Sequence, residues 1–181
     1  METTEITAGR LHLRPWTAYD AGDVFEACQD PEIPRWTPIP SPYSREDARV
    51  FVEETAPAGW ESGTTATWAV LDATTGALLA ALGLYGISHT QRVAEVGYWT
   101  AAPARGQGVT TEAVGTVCRW GFGVLGLRRI ACVVAVEDVA SQRVATRAGF
   151  TPEGVLRNGM RLKSGQSDAW LASLLPGEAA T

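Results

Sequence analysis

The chain has two histidines and three cysteines, and none of them stands at a spacing that builds a metal site. No metal is expected. Cys28, Cys118 and Cys132 are an odd set at unrelated intervals, two of them in apolar segments, so the thiols are expected to be reduced and mostly buried. No apolar run reaches the ~18 residues that a membrane span requires, and the start METTEITAGRLHLR has no cationic stretch leading into an apolar one. A membrane span and a secretory leader are therefore not expected, and the cytoplasm is the expected compartment. Basic residues are scattered and the net charge is −5, which argues against a nucleic-acid footprint and mildly suits a cationic acceptor such as an amine. No Gly-x-Ser-x-Gly elbow accompanies Ser88 and His89, so a hydrolase pair there gains no support.

What is present fits one α/β domain over residues 1–181, with a core at about 10–175 and a small-residue tail at 176–181. Leu11 to Trp16 alternates as a strand, and a helical pattern follows through Val24, Phe25 and Cys28. Five prolines between Pro31 and Pro42 predict an ordered loop. Ser44 with Asp47 caps a helix from Ser44 to Glu54 that Pro57 is expected to end. Strands are expected at Thr65–Asp72, Leu78–Tyr85 and Val93–Thr100, and a long helix from about Gly108 to Leu125. Arg129 to Glu137 is almost continuously apolar, as a strand buried on both faces would be. Asp138 caps a short helix to Ala148, and Phe150–Arg157 and Ala169–Leu175 supply the last strands. The order β-α-α-β-β-β-α-β-α-β-β is that of a mixed sheet.

The most informative stretch is VGYWTAAPARGQGVTTEA, Val96 to Ala113, in which a strand, a glycine-rich turn and a helix start follow one another. Such a turn is an anion site, because free backbone N–H groups and the positive end of the helix dipole meet there. A dinucleotide fingerprint fails: Thr111 occupies the place of its third small residue, and the acidic residue due about 20 positions further on falls near Cys132. A P-loop fails as well, since Val109-Thr110 offers no lysine.

Arg105-Gly106-Gln107-Gly108-Val109-Thr110 resembles the pyrophosphate motif of the GNAT superfamily of acyl-coenzyme A N-acyltransferases, with Thr110 where that family has glycine or alanine. The run GYWTAAPARGQGVTTEAV, followed by VEDVASQRVATRAGFTPEGVLR, is similar to the ribosomal-protein alanine acetyltransferase branch, RimJ/RimL-like, and the resemblance covers the chain from Arg10 to Leu175. It implies a mostly antiparallel mixed sheet of about seven strands with a V-shaped cleft, flanked by about four helices. It also implies acetyl-coenzyme A as cofactor, no metal, and an amine as partner: a peptide N-terminus or a metabolite. Neither nucleic acid nor membrane is an expected partner, and a homodimer is left open.

The resemblance implies that Val96, Gly97, Tyr98, Trp99 and Thr100 present backbone to the pantetheine arm. Arg105, Gly106, Gln107, Gly108, Val109 and Thr110 would hold the pyrophosphate, with Asp138 and Ser141 nearby. Gly97 within a strand fits a close backbone approach, or simply an irregular strand. Arg105 is either a phosphate ligand or an exposed loop arginine. Asp138 stands where the family has asparagine, and a carboxylate has no proton to donate to a pantetheine carbonyl. Ser141 is implied as donor or general acid at the thioester sulfur, and is equally placed to be the third helical residue of a capped turn. Arg143 and Arg147 on the same helix are available for the 3′-phosphate.

Glu95 is the candidate base, with a solvent-facing strand residue as the alternative. In the resembling branch an acidic residue often follows the Gly-x-Leu-Arg segment, where this chain has Met160. A weak base selects its substrate. Deprotonating a lysine amine of pKa ~10.4 at pH 7 costs about 4.6 kcal/mol, against about 1.4 for an α-amine near 8. An amine of low pKa is therefore expected as acceptor. Aromatic residues of the first half, Trp36, Tyr43, Trp60, Trp68 and Tyr85, with His89 and Met160, are the candidate acceptor pocket. The expected reaction is acetyl transfer by direct attack in a ternary complex. The alternatives are a small-molecule or antibiotic acyltransferase using acetyl- or succinyl-coenzyme A, and a catalytically silent acyl-coenzyme A-binding protein.

Overall fold

The short N-terminal strand β1 (Ile6–Ala8) turns at Gly9 into β2 (Leu11–Arg14), whose Leu11 and Leu13 point into the core while His12 and Arg14 stay at the margin. This is the period-2 pattern of a half-buried strand. The computed structural model describes residues 1–179; Ala180 and Thr181, the end of the expected tail, lie outside the described residues. Next come α1 (Ala21–Ala27) and a short α2 (Glu32–Trp36). The second of these falls within the segment expected to be all loop. Pro31 precedes α2 and Pro34 lies in its first turn, where a missing N–H costs nothing.

Helix α3 runs from Arg45–Val50 through a π-helical turn, Phe51–Thr55, into Ala56–Ser62. Ser44 and Asp47 form the expected capping box. Pro57 does not end this helix. The wider π-turn in front of it places Pro57 in a first turn of its own, and the left-handed Gly63 makes the actual stop.

The strands β3 (Ala66–Asp72), β4 (Leu78–Ser88) and β5 (Val93–Thr100) form an antiparallel meander, followed by α4 (Val109–Gly123) and β6 (Arg129–Ala135). Helix α5 (Val139–Arg147) and the long hairpin β7 (Thr151–Leu162) and β8 (Gly165–Leu174) complete the fold. The sheet has eight strands in the order β1-β2-β3-β4-β5-β6-β8-β7, and only β5 and β6 are parallel. Among the described residues there are eight strands and five helices, one of each beyond the about seven and about four expected, and the sheet is the mostly antiparallel mixed one that the resemblance implies. β6 is not buried on both faces as expected: Ile130, Cys132 and Ala135 are buried, whereas Val133 and Val134 look into an open cavity. The described part of the tail turns back, Leu175 N–H donating to the Glu178 carboxylate and Glu178 N–H to the Leu175 carbonyl.

Two apolar layers hold the sheet. On one face α4 packs over a cluster in which Trp60, Trp68 and Trp120 meet edge to face, with ring centroids 4.9–5.9 Å apart. On the other face α1, α2 and α3 cover the sheet through Trp16, Val24, Ile33, Tyr43 and Val52. Arg14 and Asp20 tie this second layer to β2 by two bonds of 2.7 Å. Burial pushes the Asp20 carboxyl up, but the bonds from Arg14 and Thr17 outweigh it and hold the group below its ordinary value.

Candidate active site

β5 and β6 pair over three residues only, Val93 with Arg129, Ala94 with Ile130 and Glu95 with Ala131. Beyond Glu95 the two strands part. β5 stays bonded to β4 as far as Thr100, and β6 to β8 as far as Ala135, so a wedge opens between them. A cavity of about 790 Å³ fills this wedge and continues under α1, α2 and α3. It contains Val96 to Thr100, Arg105, Gly106, Gly108, Val109, Thr110, Asp138 and Ser141 from the expected cofactor set, and Trp36, Tyr43, Tyr85, Glu95 and Met160 from the remainder.

The wedge is held open by a cross-tie. Tyr98 donates its hydroxyl to the Ser141 carbonyl at 2.8 Å, bridging β5 to the first turn of α5. That turn is fixed in its own right, because Asp138 accepts from Ser141 N–H at 3.0 Å. With its carboxylate used as a cap, Asp138 is buried. The Ser141 hydroxyl lines the cavity and has no hydrogen-bond partner among the described residues.

At the wide end, Gly106 and Gly108 adopt φ of +75° and +78°, the left-handed region that glycine enters without strain. A Cβ at either position would meet nothing within 4 Å. The N–H groups of residues 106–111 donate to no acceptor among the described residues, and Glu112 is the first to close an intrahelical bond, to Gly108. An anion of pyrophosphate size fits this set of donors. Thr110 does not obstruct it: its hydroxyl bonds Thr100 at 2.5 Å and pins the helix start to the end of β5. Arg105 is engaged elsewhere, pairing with Asp30 at 2.7 Å while its Nε donates to the Thr100 carbonyl. Gln107 lies outside the cavity, its amide donating to Pro103 and its carbonyl accepting from Arg10.

Glu95 stands at the fork itself. The residue remains solvent-exposed on β5 while lining the cavity, and the partial desolvation it undergoes raises its pKa, which makes the carboxylate a stronger base than a free glutamate. Tyr85 pairs with it across β4 and β5. The ring of Tyr85 rests on two facing glycines: a Cβ at Gly83 would fall 2.8 Å from Tyr85 Cζ, and one at Gly97 would fall 3.1 Å from Cε2. Gly97 therefore makes room for an aromatic ring on one side of β5. Desolvation pushes the Tyr85 phenol up to about 12, so it stays a proton donor at neutral pH.

Three of the aromatic and histidine candidates do not reach the cavity. Trp60 and Trp68 belong to the tryptophan cluster on the opposite face, and His89 Nε2 pairs with the Gly63 carbonyl at 3.0 Å. Residues that sequence reading missed take their place: Trp16, Ile39 and Phe51 on the side of α1, α2 and α3, and Arg161 and Leu162 beside Met160. Trp16 follows β2 after Pro15, and the alternation that buries Leu11 and Leu13 was the available signal. Cys28 also lines the cavity, but burial pushes its thiol up to about 12, and Cys132 beneath Tyr98 is likewise pushed up to about 12. Neither is a thiolate at neutral pH. Among the described residues no group of three His, Cys, Asp or Glu could hold a metal ion, and no helix is long and apolar enough to cross a membrane.

A family model described as an acetyltransferase (GNAT) domain matches residues 10–151. The chain is 31% identical to the uncharacterized N-acetyltransferase YoaA of Bacillus subtilis over 86% of this chain and 87% of that protein. It is 29% identical to the ribosomal-protein-serine acetyltransferase of Escherichia coli over 50% of this chain and 51% of that one. Among solved structures, RimJ of Mycobacterium smegmatis in complex with a coenzyme A disulfide superposes with a TM-score of 0.83 at 22% identity, covering 99% of this chain and 89% of that chain.

Proposed function

From the premise that this chain belongs to the GNAT acetyltransferase family, we propose that it transfers an acetyl group from acetyl-coenzyme A to a primary amine, by direct attack in a ternary complex. One observation carries the reading: β5 and β6 part just past Glu95, in the same cavity as the unengaged N–H groups of Gly106 and of residues 108–111. A peptide-like pantetheine arm matches a strand edge left without a neighbour, and a pyrophosphate matches the turn.

The cofactor supplies an acyl group activated as a thioester. The residues of the chain supply the rest. Gly106 and residues 108–111 hold the phosphates by backbone donors, and Arg143 and Arg147, one turn apart on α5 and lining the same cavity, provide positive charge for the 3′-phosphate. Glu95 takes the proton from the attacking amine as the new N–C bond forms. Ser141 hands a proton toward the sulfur as the C–S bond breaks, and recovers one from solvent. Because a single carboxylate is the base, amines of low pKa are the favoured acceptors. The relatives named for ribosomal proteins support a protein N-terminus, while the aromatic walls of the cavity support a compact amine.

The Asp30–Arg105 pair gives a test of the cofactor half. Arg105 must exchange a carboxylate for a phosphate, so its net gain is small, and Arg105→Ala is expected to weaken acetyl-coenzyme A by less than about 10-fold. Asp30→Asn releases the guanidinium and is expected to tighten binding, read by isothermal titration. Identical affinity in both variants would remove Arg105 from the phosphate site.

A further inference from the structure

The part of the cavity on the α1–α3 side of β5 is walled by rings drawn from six separate places in the chain: Trp16 after β2, Trp36 on α2, Tyr43, Phe51 on α3, Tyr85 on β4 and Trp99 on β5. We propose that this chamber is the acceptor site and that its ligand is a compact amine bearing an aromatic ring, rather than the extended N-terminus of a protein. The proposal rests on the transfer reading above and narrows its substrate.

Three observations carry it. First, the rings are fixed rather than loose. Trp16 and Phe51 meet edge to face at 5.2 Å, the Arg35 guanidinium lies 4.5 Å above Trp36, and the Trp36 indole donates to Glu32 at 3.3 Å. Tyr85 lies on its glycine seat. Preset aromatic faces reward a flat ring with little ordering cost.

Second, the walls offer little to a peptide. Each residue of an entering chain brings an N–H and a C=O, and unpaired amides are penalised when water is removed. The hydroxyls of Tyr43 and Tyr85 have no partner among the described residues, which leaves two side-chain groups for a polar substituent, while the free edge of β5 from Val96 to Thr100 is the part assigned to the pantetheine arm. Third, the carboxylates that line the cavity beside the rings are Glu32, which Arg35 engages, and Glu95, while Arg161 lines it beside Met160. The Glu95 carboxylate attracts an ammonium, so the substrate presents a cationic amine toward the fork.

The test compares three acceptors whose α-amines have similar basicity: phenylalaninamide, leucinamide and a short peptide with a free N-terminal serine. Thiol release is followed at saturating acetyl-coenzyme A. Phenylalaninamide is expected to exceed both others by about 10-fold in kcat/KM. In Trp36→Ala and, independently, in the milder Phe51→Leu, that preference is expected to fall toward parity, while the KM for acetyl-coenzyme A stays unchanged. A peptide turned over as well as phenylalaninamide overturns the proposal, as does a preference that survives both substitutions. If no amine is consumed, the transfer reading fails and the chamber is judged by binding alone. Saturable quenching of tryptophan fluorescence by phenylalaninamide and not by leucinamide sustains the proposal, and equal or absent quenching overturns it.

Discussion

Glu95→Gln is expected to lower kcat by between about 10²- and 10⁴-fold, the range that a positioned general base contributes, with acetyl-coenzyme A affinity unchanged. The substitution keeps the shape of the side chain and removes its ability to take a proton. Its pH signature has a definite sign. Desolvation raises the Glu95 pKa, so the wild-type rate climbs as pH rises through that raised value and the carboxylate forms. In the glutamine variant this limb is lost. Stability moves the other way. The folded chain binds the Glu95 proton more tightly than the unfolded one, so the contribution favours folding below the unfolded pKa and is lost as pH rises through the folded pKa. Removing the charge is therefore expected to raise Tm slightly at neutral pH. A variant that is slower and no less stable marks a functional carboxylate. A Tm that falls with the rate would assign Glu95 a structural role.

Trp68→Ala is expected to destabilise the protein by about 3–5 kcal/mol, the cost of emptying a large aromatic site in a core. Trp68 is fully buried on β3, its ring is wedged between Trp60 and Trp120, and its indole N–H donates to the Thr4 carbonyl at 2.8 Å. One substitution opens a cavity, removes two edge-to-face contacts and unpins the segment before β1. Urea unfolding measures it, with wild type and variant compared at equal m-value. Since Trp68 faces away from the acceptor chamber, the folded fraction is expected to keep its kcat. A variant of near wild-type stability would show that the cluster relaxes around the loss.

The parts of the site that the sequence makes legible are those built from neighbours in the chain. Val93–Thr100, the Gly106–Gly108 turn and the Asp138 cap on Ser141 all follow from residues within a few positions of one another, and each is found where the local pattern puts it. What was not legible depends on distant partners. Trp60, Trp68 and His89 look like acceptor residues by composition, but the face of the sheet to which they turn is decided by packing against α4 and by the Gly63 turn. The Asp30–Arg105 pair spans 75 positions and has no local signal. β1 is three residues long and carries no periodicity of its own; it exists because β2 offers a free edge. Pro57 misled because the stop rule for proline assumes a regular helix, and the π-turn at Phe51–Thr55 removes the assumption. The two-sided burial expected of β6 failed for a functional reason, since the face toward the wedge is open.

The central claim is direct transfer from a bound thioester to a bound amine, with no acetyl group resting on the protein. Among the described residues that line the cavity one is a cysteine, Cys28, and burial keeps its thiol protonated. Initial rates measured while acetyl-coenzyme A and phenylalaninamide are both varied, with the intact mass of the protein recorded after incubation with acetyl-coenzyme A alone, test this most directly. Intersecting double-reciprocal lines and an unmodified chain are the expected result. Parallel lines with an acetylated protein would contradict it.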